Sequence, residues 1–282
     1  MEEARGIQYG DRREAPIGVF DSGVGGLTVV REILHQLPAE RITYFGDTAR
    51  VPYGSKSRET IIRYSRQIIR FLMTRGVKAI VVACNTASAY ALEELRPQVE
   101  VPIIGVVKPG AKMAAAVTRN GKIGVIGTEG TISSGIYTSF LKDLRPDMQV
   151  LGKACPLFVP LAEEGWLEGE VPMLVARSYL EELCHSGIDT LILGCTHYPL
   201  LRPAIAEVMG PEVTLVNPAY ETAVSLQNLL QEQGLRSPGI HKGTGPLCEF
   251  FVSDAADWFN RFAGRILPAG ITNTRQIPIE EY

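Results

Sequence analysis

Two cysteines occupy matching positions in the two halves of this chain, and both could carry acid–base chemistry. Cys84 ends the apolar run 79–83, and Cys195 ends the run 190–194. A buried strand that ends in a thiol and leads into a helical pattern puts that thiol at the carboxyl edge of a parallel sheet, where open α/β sheets bind ligands. We therefore predict one site with a thiol on either side of its substrate.

Two thiols that face one substrate suit a reaction that needs a base on one face and an acid on the other. Removing the α-proton of an amino acid and returning a proton from the opposite side inverts the α-carbon, which is racemisation. The developing charge needs preorganised donors at the carboxylate. Candidate donors in the sequence are Ser22, Asn85, Thr86, Thr196 and the amides of the glycine-rich segment 23–26.

The two cysteines also have a structural interpretation, because a buried cysteine most often only packs in a core. A thiol at a helix N-terminus, in contrast, becomes more acidic and more reactive. The presence of one such cysteine in each half of the chain favours function. Three further cysteines are interpreted as structural. Cys155 has no polar partner nearby, Cys248 precedes the last predicted strand, and Cys184 lies with His185 in a helix where either a solvated face or core packing explains both.

His197 lies two positions after Cys195 and could assist or tune that thiol. A zinc site needs about four ligands at characteristic spacing, and no other His or Cys lies close by, so no metal is expected. The 5 cysteines contain no C-x-x-C pair and match no disulfide framework. We therefore expect free thiols in a reducing cytoplasm.

A glycine-rich turn follows the first predicted strand, directly after Asp21 and Ser22. Its spacing is G-x-G-G, and no acidic residue ends a second strand at the required distance, so a dinucleotide cofactor is not expected. We predict that Gly23, Gly25 and Gly26 allow close backbone approach and positive φ angles. No lysine is singled out for a pyridoxal Schiff base either, so the sequence predicts a reaction without a cofactor.

Short apolar strands alternate with helical patterns along the chain, which predicts an α/β fold with mainly parallel sheets. The pattern that begins at Ile17 restarts at Ile123, and each start lies at a similar distance from its cysteine. We predict two similar lobes that face each other, with a last strand at 249–252. The predicted boundaries are 16–108 plus 219–268 for the first lobe, 109–218 for the second, and 1–15 and 269–282 for two extensions.

The composition excludes several classes of partner. Basic and acidic residues are nearly balanced, 28 against 31, and no long block of either sign occurs, which argues against nucleic acid and anionic membrane. No apolar run has the length of a membrane span. Residues 1–15 are polar and lack the apolar core of a secretory signal. The expected partner is a small molecule.

Four motifs, taken together, make the chain resemble glutamate racemase, of the cofactor-independent aspartate/glutamate racemase superfamily. The resemblance extends over about residues 16–268, which is nearly the whole chain. The motifs occur in order and make a specific match. They are Phe20–Leu27, Tyr44–Gly54, Cys84–Ala89 and Gly194–Leu200.

The resemblance implies two α/β lobes related by a pseudo-twofold axis, with glutamate bound between them. It implies that Cys84 and Cys195 are the two acid/base residues, each acting on one enantiomer. By the same resemblance, Asp21 supports Cys84. His197 and one of two tandem glutamates support Cys195, and we choose Glu164 over Glu163 from its distance to the cysteine. The implied substrate-binding positions are Asp21, Ser22, Tyr53, Gly54, Asn85, Thr86, Thr196 and His197.

The resemblance also implies a role, which is the supply of D-glutamate for peptidoglycan by a homodimer in the bacterial cytoplasm. Residue spacing alone does not distinguish glutamate from aspartate, so a racemase of aspartate or another amino acid is the first alternative. A cysteine hydrolase that uses one thiol with His197 is a second. A two-lobe protein that binds an amino acid and releases it unchanged is a third.

Overall fold

The computed structural model describes residues 11–239, 247–267 and 274–282. These residues form a six-stranded and a four-stranded sheet, and all strand pairs in both sheets are parallel. The predicted α/β class with mainly parallel sheets is confirmed. The strands are β1 (Ile17–Asp21), β2 (Ile42–Gly46), β3 (Ala79–Val82), β4 (Ile103–Gly105), β5 (Lys122–Gly127), β6 (Gln149–Ala154), β7 (Thr190–Gly194), β8 (Thr214–Val216), β9 (Cys248–Val252) and β10 (Thr274–Gln276).

Helices connect most successive strands, as the alternating pattern predicts. They are α1 (Leu27–Gln36), α2 (Arg58–Thr74), α3 (Asn85–Tyr90), α4 (Leu92–Leu95), α5 (Val107–Val117), α6 (Glu129–Ser133), α7 (Ile136–Leu144), α8 (Phe158–Glu164), α9 (Glu170–Cys184), α10 (Arg202–Met209), α11 (Pro218–Glu232) and α12 (Ala256–Ile266). Within the described residues, none of these helices has the length and apolar character needed to cross a membrane.

The two sheets repeat one topology. The six-stranded sheet has the order β10-β9-β2-β1-β3-β4, and the four-stranded sheet has the order β6-β5-β7-β8. The run β2-β1-β3-β4 therefore matches the whole second sheet strand for strand. Because β3 leads to Cys84 and β7 leads to Cys195, the two cysteines follow equivalent strands. The predicted similarity of the two α/β lobes is confirmed at this level.

Each sheet is covered by helices on both faces, which is why its central strands read as apolar runs. Every residue of β1, β2, β3 and β7 is buried. In the first lobe, defined here by the six-stranded sheet, α1, α11 and α12 pack on one face and α2 and α3 pack on the other. In the second lobe, α9 and α10 cover one face while α5 and α7 cover the other.

The C-terminal extension contributes to the first lobe. Its strand β10 pairs in parallel with β9, so the prediction that 249–252 is the last strand is wrong. Tyr282 packs edge-on against Phe71, with ring centroids 5.3 Å apart. In the N-terminal extension, the carbonyl of Arg13 accepts a hydrogen bond from Lys78 Nζ at 2.6 Å. Residues 1–10 and 269–273 of the predicted extensions lie outside the described residues, as do 240–246 and 268 of the predicted first lobe.

Candidate active site

Cys84 lies at the carboxyl edge of the first sheet, as its sequence position predicts. It is the N-cap of α3, and its Sγ accepts a hydrogen bond from the Ala87 amide at 3.4 Å. Its thiol donates to Ser22 Oγ, with a sulfur–oxygen distance of 3.7 Å. Only 6% of Cys84 is exposed. Burial, reinforced by the nearby Asp21 carboxylate, raises the pKa of this thiol to about 12.

Asp21 ends β1 and is fully buried. Its carboxylate accepts hydrogen bonds from the Gly23 amide at 3.0 Å and from Thr196 Oγ1, in the second lobe, at 3.4 Å. Burial raises the pKa of Asp21, although the nearby His197 opposes this rise. Among the described residues, Asp21 makes no hydrogen bond to Cys84, so its influence on that thiol is electrostatic.

Cys195 has an imidazole beside it. Its Sγ lies 3.8 Å from Nδ1 of His197, and Nε2 of the same ring lies 3.0 Å from Glu163 Oε1. Burial by itself would lower the pKa of His197. Hydrogen bonds to Cys195 and Glu163 outweigh burial and raise it to about 10. A protonated imidazole therefore supplies positive charge on this side of the site.

We expected Glu164 to support Cys195 and Glu163 to be the fallback, but the carboxylate that contacts His197 beside Cys195 is that of Glu163. Both residues lie in the last turn of α8. Successive helix residues point about 100° apart, so only one of the two can face the imidazole. Glu163 faces it and is partly buried, whereas Glu164 is exposed.

Both cysteines line one cavity between the two sheets, with a volume of about 40 Å³. Asp21 lies behind the wall, and Glu164 is not part of it. The predicted residues that line the cavity are Ser22, Tyr53, Gly54, Cys84, Asn85, Thr86, Cys195, Thr196 and His197.

Hydrogen bonds between hydroxyl and amide groups join the two lobes around this cavity. The Thr86 hydroxyl lies 2.9 Å from that of Thr128 and 3.1 Å from that of Thr131. The Tyr137 hydroxyl donates to Asn85 Oδ1 at 2.7 Å. These contacts add three second-lobe residues that the sequence analysis missed. The internal repeat could have predicted one of them, because Thr128 directly follows β5 in the same way that Ser22 directly follows β1.

The glycine-rich turn allows the lobes to approach closely. A Cβ built on Gly25 would lie 2.3 Å from Thr196 Oγ1 and 2.6 Å from ring atoms of His197. A Cβ on Gly26 would lie 2.4 Å from that of Asp21. The predicted close approach is therefore present. The predicted positive φ angles are wrong, because Gly23, Gly25 and Gly26 are not among the described glycines that adopt them.

A buried network fixes the segment that carries Tyr53 and Gly54. The fully buried Asp47 carboxylate accepts hydrogen bonds from the Tyr53 hydroxyl, from Arg50 Nε at 2.8 Å and from Ser253 Oγ at 2.9 Å. The Arg50 guanidinium also lies over the ring of Tyr64 at 4.0 Å. This part of the cavity wall is therefore held by the first lobe itself.

The cavity offers neutral donors and one cationic imidazole. Among the described residues, no lysine or arginine lines it, so it provides no amine for a pyridoxal Schiff base. No cluster of three or more His, Cys, Asp or Glu side chains in the described parts of the chain could hold a metal ion. All five cysteines are free.

A second, larger cavity of about 460 Å³ lies beside α5 and α11. Neither Cys84 nor Cys195 lines it, so it is separate from the candidate active site.

Comparison with known proteins decides the family. The model of the Asp/Glu/hydantoin racemase family matches residues 17–226. The chain belongs to this family. The matched segment includes both cysteines, Asp21 and His197.

Relatives within the family share most of the chain. A glutamate racemase from Geobacter metallireducens is 53% identical over 264 residues, which is 94% of this chain and 97% of the relative. The crystal structure of glutamate racemase isoform RacE1 from Bacillus anthracis superposes with a TM-score of 0.89 at 41% identity, covering 94% of this chain and 98% of that one. The crystal structure of glutamate racemase from Francisella tularensis in complex with D-glutamate superposes with a TM-score of 0.88 at 36% identity. The superposition covers 96% of this chain and 100% of that one.

Proposed function

We propose that this chain interconverts L-glutamate and D-glutamate by two-base proton transfer at the α-carbon, without a cofactor. The observation that carries the proposal is one cavity lined by a cysteine from each of two matching sheets. Glutamate as the substrate is supported by the family membership and by similar proteins named glutamate racemase, one of which was solved with D-glutamate.

The proposed reaction moves one proton onto a sulfur and another off a sulfur. The thiolate of one cysteine takes the α-proton, and the electron pair of the broken C–H bond is stabilised by the neighbouring carboxylate. The thiol of the other cysteine then protonates the opposite face, and that electron pair forms the new C–H bond. The first cysteine ends as a thiol and the second as a thiolate, so the protein is left ready for the reverse direction.

In the resting protein we assign Cys84 as the thiol and therefore as the first acid. Its pKa of about 12 supports this assignment, because it keeps the proton on sulfur at neutral pH. On the opposite side, the imidazolium of His197 lies beside Cys195, where it would balance negative charge on sulfur. Glu163 is the positioning residue that holds this imidazole.

The substrate carboxylates would be bound by uncharged donors and backbone amides. The hydroxyl and amide side chains of the wall that can donate to them are Ser22, Asn85, Thr86, Thr128 and Thr196, whose contact with Asp21 is long at 3.4 Å. The Tyr53 hydroxyl already donates to Asp47, so Tyr53 shapes the wall without donating to substrate. Fixed donors of this kind hold the charged carboxylates in the ground state and in the transition state without reorganising. Gly54 allows the backbone of the first lobe to approach Thr128 of the second lobe, since a Cβ at Gly54 would lie 2.6 Å from the Cβ of Thr128.

We further propose the physiological role that the family resemblance implies, which is the supply of D-glutamate for peptidoglycan in the cytoplasm by a homodimer. Free thiols at all five cysteines fit a reducing compartment. The homodimer rests on the resemblance alone. Light scattering of the purified protein tests it, and a monomeric mass at working concentration would contradict it.

The activity is tested by incubating the purified protein with L-glutamate or L-aspartate, without pyridoxal phosphate, and separating enantiomers by chiral chromatography. We expect D-glutamate to accumulate to an equal mixture, with little or no inversion of aspartate. Inversion of aspartate in preference to glutamate would overturn the substrate assignment. No inversion of either amino acid would overturn racemisation as the proposed activity.

A further inference from the structure

Asn85 is a buried amide whose two ends face different surroundings. The residue opens α3 directly after Cys84, and only 4% of it is exposed. Its Oδ1 accepts the hydrogen bond from Tyr137 at 2.7 Å. Among the described residues, its Nδ2 donates to no protein acceptor, although Asn85 lines the cavity between the cysteines.

We infer that Tyr137 is a positioning residue that fixes the orientation of the Asn85 amide, so that its NH₂ group faces the substrate. An amide side chain can present either a donor or an acceptor to a pocket, and its partners decide which. Only the donor end can bind a carboxylate. With Oδ1 held by the tyrosine hydroxyl, we place the donor end on the side of the cavity that holds the cysteines, where a carboxylate of glutamate would lie. This inference rests on the proposed function.

The contact is well suited to this role because both partners are held. Tyr137 is the second residue of α7, and only 3% of it is exposed. Burial raises the pKa of its hydroxyl, which therefore keeps its proton throughout the physiological range. Without this donor, a buried Asn85 Oδ1 would lose its partner, and the amide would be free to rotate.

The contact also joins the two lobes. Tyr137 packs in the core of the second lobe, whereas Asn85 belongs to the turn after β3 in the first. The amide is therefore oriented only when the lobes are in contact. The second lobe would thus complete a binding group that the first lobe carries.

The inference is tested by a double-mutant cycle with Tyr137→Phe and Asn85→Ala. Since a neutral hydrogen bond contributes about 1 kcal/mol, Tyr137→Phe is expected to raise the KM for glutamate about 3- to 10-fold. Its kcat should change less than about twofold, because the donor binds ground state and transition state alike. In the Asn85→Ala background, Tyr137→Phe should add less than about a twofold effect.

Tyr179→Phe is the control. Its hydroxyl accepts a hydrogen bond from the Leu157 amide at 3.2 Å, in the same lobe but away from the cavity. This variant is expected to keep the KM and kcat of the unmodified protein. If Tyr137→Phe lowers kcat at unchanged KM, or if its effect persists fully in Asn85→Ala, the positioning role is wrong.

The cycle separates this inference from the proposed function. If the unmodified protein inverts aspartate instead of glutamate, the proposed substrate fails, and the same cycle is measured with aspartate. Coupling between Tyr137 and Asn85 would then still support the positioning role. Independent effects would overturn it, whichever amino acid is the substrate.

Discussion

The two cysteines follow equivalent strands of two matching sheets, yet their surroundings differ in charge. Cys84 is hydrogen-bonded to neutral groups, and burial together with the Asp21 carboxylate raises its pKa to about 12. Cys195 lies 3.8 Å from His197, an imidazole held by Glu163 whose pKa is about 10. The repeated topology thus duplicates the positions of the two thiols, whereas the charged groups beside them are not duplicated.

The equilibrium constant of racemisation limits which kinetic quantities can show that the two cysteines are unequal. L-Glutamate and D-glutamate have the same free energy in solution, so the equilibrium constant of racemisation is one. The kcat/KM values of the two directions must therefore be equal in any variant that racemises. Unequal sides can be detected only in kcat, in its pH dependence and in isotope effects measured separately for each direction.

The largest expected effect comes from removing either thiol. Cys84→Ala and Cys195→Ala should each lower the kcat of racemisation at least about 100-fold in both directions, because each direction needs one base and one acid. Initial rates with each enantiomer measure this loss. Full activity in either variant would mean that a single thiol is sufficient, and would favour a one-cysteine mechanism.

Next in size is the effect of filling the space at Gly25. In Gly25→Ala, the atoms nearest to the new Cβ would be those of Thr196 and His197, which flank Cys195. Displacement of a reacting group by about 1 Å can cost about 100-fold in rate, so kcat/KM should fall by about that factor. Gly264→Ala is the matched control, because a Cβ at Gly264 meets nothing within 4 Å. Equal rates for both variants would contradict the proposed close approach.

The third expected effect is a change in the ratio of kcat for L-to-D conversion to kcat for D-to-L conversion. Asp21→Asn changes the environment of Cys84, whereas His197→Asn changes that of Cys195. We expect the ratio of the two kcat values to move in opposite senses in these variants, by about 10-fold each, within the range for a positioned acid–base group. Progress curves started from each enantiomer give this ratio. If both variants impair the two directions identically, the two sides are equivalent.

The smallest expected effect distinguishes the tandem glutamates. Glu163→Gln removes an interaction that raises the pKa of His197, so this pKa should fall below about 10. The imidazolium is present below the pKa and lost above it, so the alkaline limb of the kcat profile should move to lower pH. At neutral pH we expect a loss of up to about 10-fold.

Glu164→Gln serves as the control for that variant. Glu164 is exposed and away from the imidazole, so its replacement should leave the pH profile unchanged. A larger shift in Glu164→Gln than in Glu163→Gln would restore the original choice of Glu164.

Much of the site could be predicted because it follows strand ends. The apolar runs before Cys84 and Cys195 define the carboxyl edges of two parallel sheets, and the polar residues after them line the cavity. Tyr137 and Thr131 were missed because they lie in helices of the second lobe, away from either thiol, and reach the site only through contacts between the lobes.

Other parts could not be predicted for physical reasons. Glu163 and Glu164 are adjacent on a helix, and only the packing of α8 against the turn after Cys195 decides which one reaches His197. Strand β10 has the polar sequence Thr274–Gln276 at the edge of its sheet, so it carries no apolar pattern. The three glycines are small for a different reason from the one expected, since close contacts and not positive φ angles leave no room for a Cβ. Gly25 meets the second lobe at Thr196 and His197, whereas Gly23 and Gly26 meet residues of the first lobe.

The most direct test of the two-thiol account is the isotope content of product and substrate in heavy water. The protein is incubated with L-glutamate in deuterium oxide, and the reaction is stopped at low conversion. The two enantiomers are separated, and the α-deuterium content of each is measured by mass spectrometry. Two bases on opposite faces predict that the D-glutamate formed carries one α-deuterium, while the remaining L-glutamate keeps its protium. Substantial α-deuterium in the unconverted L-glutamate, together with protium in the product, would show that one base serves both faces and would contradict the account.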